Sequence, residues 1–331
     1  LSLHDALPIF TSAWEDYLEE LRAGISAKTK RPYSTRYIAD HINLSSRGGE
    51  SKKRGRGPTS AGPLASLLDL PLSELTPENI AAWLSTERQN RPTVTAHAYR
   101  LLRAFIKWAN YQKKYQGIIH GDIAQDHNVR KVVPVSASKA GDCLQKEQLK
   151  IWFSAVRSLN NPIASAYLQV LLLTGARREE IASLRWSDVD FKWSSMRIKD
   201  KIEGERIIPL TPYVSELLSA LAQFPNSDVN KEGWVFRSNS KSGKIIEPRS
   251  AHNRALARAE LPHISLHGLR RSFGTLAEWV EVPTGIVAQI MGHKPSALAE
   301  KHYRRRPLDL LRKWHEKIER WILQQANIVK K

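Results

Sequence analysis

Tyr303 lies in the run Glu300-Lys301-His302-Tyr303-Arg304-Arg305-Arg306, and upstream of it come His267-Gly268-Leu269-Arg270 and Met291-Gly292-His293. A phenolic hydroxyl becomes a nucleophile when nearby cations or a base favour its deprotonation, and the same cations match the non-bridging oxygens of a phosphodiester. The order therefore points to strand transfer on a nucleic acid rather than to binding alone. No single motif decides this, because His-x-x-Arg occurs at His97/Arg100, His127/Arg130, His267/Arg270 and His302/Arg305. Context sets His267/Arg270 apart: Thr174-Gly175-Ala176-Arg177-Arg178-Glu179-Glu180 precedes it, and Gly292-His293 and Tyr303 follow at short intervals.

The bulk composition suits that chemistry. A net charge of +18 makes a polyanion the expected partner, since Lys and Arg that neutralise phosphates release counterions. Residues 1–135 hold 19 Lys+Arg against 13 Asp+Glu, and the remainder holds 51 − 19 = 32 against 33 − 13 = 20, so both halves are basic. With 331 residues the chain is long enough for two domains with separate cores. Its single cysteine, Cys143, excludes an intramolecular disulfide framework and a multi-cysteine zinc site, which fits a reducing cytosol. No apolar run approaches the roughly 18–20 residues that span a bilayer, so no membrane association and a cytoplasmic location are expected. The first ten residues lack the pattern of a signal peptide or anchor and read as a non-native or disordered start, residues 1–10.

The elements that must position these residues are mostly helical. Apolar residues at Trp14, Tyr17, Leu18, Leu21 and Ile25 have helical spacing. Residues 45–62 are nearly free of apolar side chains and rich in Arg, Lys and Gly, which predicts a mobile basic loop. Thr76-Pro77-Glu78 reads as an N-cap, a first-turn proline and an acidic first turn. A following helix from Thr93 or Thr95 carries the stripe Ala98, Leu101, Leu102, Phe105, Ile106 and Ala109, giving a small helical bundle over 11–128. Residues 129–141 have no amphipathic period and read as the linker to a second domain over 142–331. That domain is expected to hold helices over 145–159, 163–173, 249–259, 267–280 and 284–291, with β-structure over 193–198 and 206–210. A last amphipathic helix, 308–326, repeats Leu311, Trp314, Ile318, Trp321 and Ile322.

From about Leu171 to Tyr303 the chain resembles the catalytic domain of the tyrosine recombinases, the phage-integrase family. The match is to an ordered set. Arg177 follows a Thr-Gly turn with Glu180 three positions later, and Lys201 precedes Ile207-Ile208-Pro209-Leu210. His267 to Arg270 meets the family's His-x-Leu-Arg, Met291 to His293 its Leu-Gly-His, and Tyr303 its nucleophile. Three departures stand out: Gly268 where the family often has an acid, Met291 where it often has Leu, and the interval from His293 to Tyr303. The resemblance implies a fold that is mainly α with a small β-sheet in the catalytic domain (α+β). It also implies a two-domain DNA clamp, with a helical core-binding domain ahead of the catalytic one.

The implied catalytic residues are Arg177, Lys201, His267, Arg270, His293 and Tyr303. Tyr303 attacks the scissile phosphate and leaves a 3′-phosphotyrosyl link that stores the bond energy for religation. Arg177 and Arg270 grip the phosphate oxygens, with guanidinium forks standing in for a metal ion. His293 adds a hydrogen bond, His267 accepts or orients the tyrosine proton, and Lys201 protonates the leaving 5′ oxygen. Glu180, one turn from Arg177, pairs with it and aims it. Neither cofactor nor metal is expected. The expected partners are double-stranded DNA, a homotetramer on two recombination sites, and accessory DNA-bending or excision proteins; the last helix needs an apolar dock, on its own domain or, as the resemblance implies, on a neighbouring protomer. Two competing classes are a non-catalytic DNA-binding regulator or excision accessory protein, and a metal-dependent nuclease using Asp188, Asp190 or Asp200. The regulator leaves the ordered set unexplained, and no ligand-spaced cluster supports the nuclease.

Overall fold

The computed structural model describes residues 8–27, 29–52, 55–119, 123–135, 141–200, 204–224, 233–293 and 306–329. The chain divides into two compact units, Leu1–Ser138 and Lys139–Lys331. Each is built around an apolar core of its own.

The first unit contains α1 (Phe10–Ala23), α2 (Thr35–Ser45), α3 (Pro77–Asn90), α4 (Pro92–Tyr111) and α5 (His127–Val132). α3 starts as its sequence requires: the Thr76 hydroxyl accepts the Asn79 N–H, and Pro77 occupies the first turn, where its missing donor does no harm. On α4 the predicted stripe faces inward, and Ala98, Leu101, Leu102, Phe105, Ile106 and Ala109 are all buried.

Three expectations for this unit need correction. The disordered start does not hold for residues 8–10. Phe10 is fully buried, its N–H donates to the Leu70 carbonyl at 2.8 Å, and Ile9 pairs with Pro71. α1 accordingly begins at Phe10 and stops at Ala23, ahead of Ile25. The basic stretch 45–62, expected as a mobile loop, carries backbone hydrogen bonds of its own. Gly49 donates to Thr59, Thr59 to Glu50 and Lys52 to Gly57, so among the described residues it folds back as a short antiparallel excursion that satisfies its own backbone. The linker does not begin at 129, because Val129 is fully buried and α5 packs against α3.

The second unit runs α6 (Leu149–Arg157), α7 (Pro162–Thr174), α8 (Arg178–Ala182), β1 (Val189–Asp190), β2 (Ser195–Asp200), β3 (Gly204–Pro209), α9 (Pro212–Ala222), α10 (Arg249–Arg258), α11 (Leu266–Glu278), α12 (Thr284–Met291) and α13 (Leu308–Gln325). The fold is thus mainly α with a small antiparallel sheet of order β1-β2-β3. The hairpin pairs Met196 with Ile208 and Ile198 with Arg206. Met196, Ile198 and Ile208 are fully buried, as period-two alternation on a one-sided sheet requires. Trp193 and Ser194, expected in the strand, make the turn before it, with Ser194 at φ +46°. α7 is apolar on all sides, and every residue from Ala164 to Thr174 is buried, so it forms the axis of the domain.

α13 packs in one of the two ways that its periodicity left open. It buries Leu311, Ile318, Ile322 and Leu323 in the core of its own unit. Polar groups lock the register. The Glu319 carboxylate accepts the Thr211 hydroxyl and the N–H groups of Tyr213 (2.9 Å) and Val214 (3.3 Å), which caps the start of α9. His315 Nε2 donates to the Leu173 carbonyl at 2.8 Å, in the last turn of α7. Among the described residues no helix is long and apolar enough to cross a membrane.

Candidate active site

Two left-handed turns set the geometry. α7 ends at Gly175 (φ +58°) and α12 at Gly292 (φ +71°), the conformation that glycine adopts without penalty at a helix C-terminus. Space demands glycine as well. A Cβ at 175 would lie 2.5 Å from the Phe273 ring, and one at 292 would lie 2.7 Å from the Arg206 guanidinium. The first turn delivers Arg177 and the second delivers His293.

Arg270, on α11, ties these turns together. Its side chain is almost wholly buried, and Nη1 donates at 2.7 Å to both the Gly175 and the Met291 carbonyls. Carbonyls at helix C-termini carry partial negative charge, so a guanidinium is the natural partner for two of them. Arg177 is the N-cap residue of α8. Its N–H donates to Glu180 Oε2 and its Nη1 to Oε1, both at 2.8 Å, and Nη2 reaches the Gly292 carbonyl at 3.2 Å. The neighbouring Arg178 points elsewhere, to Glu179 at 2.7 Å.

Glu180 also answers a residue that the sequence reading passed over. Arg206, on β3, grips both of its oxygens at 3.1 and 2.8 Å, and its Nε donates to the Ile290 carbonyl at 3.1 Å. Against the upward pull of burial, Arg206 and Arg177 hold the Glu180 carboxyl below the ordinary carboxylate range. The only signal in the sequence was an arginine just before Ile207-Ile208-Pro209-Leu210, in a hairpin already crowded with charge.

His267 sits in the first turn of α11 and His293 just after the α12 turn, and both are exposed. Partial burial, followed by Arg271 and Arg270, keeps the His267 pKa below its usual value. Partial burial, followed by Arg270, Arg177 and Arg206, does the same for His293. Both are therefore neutral near pH 7, and each can accept a proton or present one N–H. The structure thus gathers Arg177, Arg270, His267 and His293 from α7–α8, α11 and the end of α12. Lys201 and Tyr303 lie outside the described residues. Downstream, Gln289 on α12 receives Arg306, donating to its carbonyl at 3.1 Å. Asp188, a candidate metal ligand in the nuclease reading, is engaged by Lys199 at 2.7 Å and by the Arg185 N–H at 3.2 Å.

Residues 9–131 match the model of the phage integrase core-binding domain, and residues 143–307 match that of the phage integrase family. The chain is 92% identical over 319 residues to the prophage integrase IntF of Escherichia coli (strain K12), covering 96% of this chain and 68% of that protein. The chain belongs to the phage integrase family. Members are tyrosine recombinases, enzymes of site-specific DNA breakage and rejoining. A more distant member, the putative prophage phiRv2 integrase of Mycobacterium tuberculosis, is 22% identical over 259 residues, covering 72% of this chain and 65% of the relative. This integrase-family chain thus spans about two thirds of the length of these relatives. The fold likeness extends to a lambda integrase tetramer bound to a Holliday junction, with TM-score 0.63 at 16% identity over 92% of this chain and 82% of that one. It extends also to the Tn1549 transposon integrase in complex with circular intermediate DNA, with TM-score 0.61 at 14% identity over 92% and 98%.

Proposed function

We propose that the chain integrates or excises a prophage or genomic island by cutting and rejoining double-stranded DNA through a 3′-phosphotyrosine at Tyr303. The convergence of Arg177 and Arg270 on the two helix-end turns, flanked by two neutral histidines, carries this reading. Arg177 and Arg270 bind the non-bridging oxygens and stabilise the charge that grows on phosphorus, without a metal ion and without ATP. His267 accepts the Tyr303 proton, His293 donates a hydrogen bond to the phosphate, and Lys201 protonates the 5′ oxygen that leaves. Religation reverses these steps, with the 5′ hydroxyl as nucleophile and Tyr303 as leaving group. Losing one preorganised donor of this kind typically costs about 3–4 kcal/mol of transition-state stabilisation. The placement of Arg306 against Gln289, three residues beyond Tyr303, supports a nucleophile delivered from the α12 side. The active species is a homotetramer on two recombination sites, a reading supported by the tetramer that lambda integrase forms on a Holliday junction, and it works in the cytoplasm on the nucleoid. Accessory DNA-bending or excision proteins complete the assembly.

The test is a nicked suicide duplex that carries the junction sequence flanking the encoding element, incubated with the protein in EDTA. A covalent protein–DNA adduct is expected from the wild type and none from Tyr303→Phe. An adduct that persists in the variant overturns the assignment of the nucleophile. Cleavage that appears only when a divalent cation replaces the EDTA, and that leaves no adduct, favours the nuclease instead.

A further inference from the structure

Asp142 lies one residue before the span matched by the catalytic family model, outside every motif of the ordered set. It is almost wholly buried, and its environment is built around its charge. Oδ1 accepts the Ser265 N–H at 2.7 Å, Oδ2 accepts the Ser265 hydroxyl at 2.7 Å, and Oδ2 also accepts Arg271 Nη1. Ser265 is in turn the N-cap of α11, its hydroxyl accepting the Gly268 N–H at 2.9 Å. A carboxylate at a helix N-terminus is held by the unpaired N–H groups and by the helix dipole. Two residues on, the Leu144 N–H donates to the Ser272 hydroxyl at 2.7 Å, and that hydroxyl donates to the Gly268 carbonyl at 2.8 Å. The strap 142–144 therefore grips α11 at two successive turns, and His267 and Arg270 project from those same turns.

Position 268 records the same grip. A Cβ built there would lie 2.3 Å from Asp142 Oδ1, 2.8 Å from Ile264 Cγ2 and 2.9 Å from the Asp142 carbonyl oxygen. The glycine in His267-Gly268-Leu269-Arg270 is thus explained by what presses on it, the Asp142 carboxylate foremost and Ile264 beside it.

We propose that Asp142 is a positioning residue of the strand-transfer site, a carboxylate supplied from the start of the catalytic unit that clamps the first turns of α11 and thereby sets His267 and Arg270. The proposal rests on the recombinase reading above. It also assigns Asp142 an electrostatic task. The groups that bear on His267 are Arg270, Arg271, Arg177 and His293, all of which disfavour its protonated form, and Asp142, which alone among them favours it.

The test uses the full chain and the same suicide duplex, comparing wild type, Asp142→Asn, Asp142→Ala, Gly268→Ala and the double variant Asp142→Ala/Gly268→Ala. Misplacing a reacting group by about an ångström costs roughly a hundredfold, so each single variant is expected to form adduct roughly tenfold to a hundredfold more slowly per DNA-bound chain. DNA retention in a gel shift should stay near wild type. Gly268→Ala should still be slow when Asp142 is already alanine, because the contacts with Ile264 Cγ2 (2.8 Å) and the Asp142 carbonyl oxygen (2.9 Å) remain, but its added cost should be smaller than in the wild-type background. Asp142→Asn keeps the shape of the side chain and serves should the alanine variant fold poorly. It should move the acid-side midpoint of the adduct rate to lower pH, because the charge that favours protonated His267 has been removed. Wild-type rates per bound chain in Asp142→Asn and Gly268→Ala, with an unmoved pH profile, overturn the proposal and leave the recombinase reading intact. If the wild type forms no adduct, or Tyr303→Phe still does, the recombinase reading fails and this inference fails with it.

Discussion

Glu180 is a single carboxylate shared by Arg177 and Arg206, and it is nearly inaccessible to water. Removing one partner of such a group leaves the others with uncompensated buried charge, typically a loss of about 3–5 kcal/mol. Arg206 has no counterpart among the residues implied by the family resemblance, yet it holds the acid that holds Arg177 and reaches the α12 turn as well. Glu180→Gln and Arg206→Met are therefore expected to lower the rate of covalent adduct formation about tenfold or more, with DNA affinity in a gel shift changed far less. Equal losses of rate and affinity would assign Arg206 to DNA binding rather than to positioning. Arg177→Lys retains a charge but cannot reproduce a planar fork that serves Glu180 and Gly292 together.

At the scale of elements, α13 is a structural wall of the catalytic unit. Truncating Ile318 to alanine should cost about 2–5 kcal/mol, the usual range for a buried aliphatic side chain, and should show as a lowered thermal midpoint of monomeric protein. An unchanged midpoint in the monomer would restore the idea that this helix docks on a neighbour. That helix shows where sequence reading succeeds and where it stops. Its amphipathic period was legible, as were the stripe of α4, the Thr76-Pro77 start of α3 and the span of α12, because each is a local pattern with one physical cause. The surface that α13 covers was not legible, since periodicity gives the face and not its partner. α2 escaped notice because only His41 is buried along it. α9 escaped although Thr211-Pro212 repeats the signal of Thr76-Pro77. Within the site, Arg177 and Glu180 were readable because they lie three residues apart. The contacts of Arg206 with Glu180 and of Asp142 with Ser265 join residues 26 and 123 positions apart, and no local spacing encodes them.

For the molecule as a whole, two separate cores mean two separate responses to solvent, and the catalytic unit contains an acid-sensitive pair. Burial pushes the pKa of His315 down to about 4, and burial followed by His263 does the same for His252. An unfolded histidine titrates near 6.5, so the unfolded chain takes up these protons first. Their contribution to stability is intact above about pH 6.5 and is lost progressively as the pH falls toward about 4, on the order of 3 kcal/mol for each site. Thermal melts across that window should show the catalytic unit weakening, and replacing His315 with a neutral residue of similar volume should flatten the slope. Charge also discriminates among states of the reaction. Among the described residues Arg177, Arg206 and Arg270 contribute three positive charges and Glu180 one negative, a surplus of 3 − 1 = +2. A bound phosphodiester carries roughly one negative charge and the five-coordinate phosphorus of the proposed reaction about two, the second arising as the Tyr303 proton passes to His267, so the guanidiniums face the most negative charge on phosphorus at the top of the barrier. Arg206 and Glu180, which need never touch DNA, would thus help to decide which moment of the reaction the protein holds most tightly.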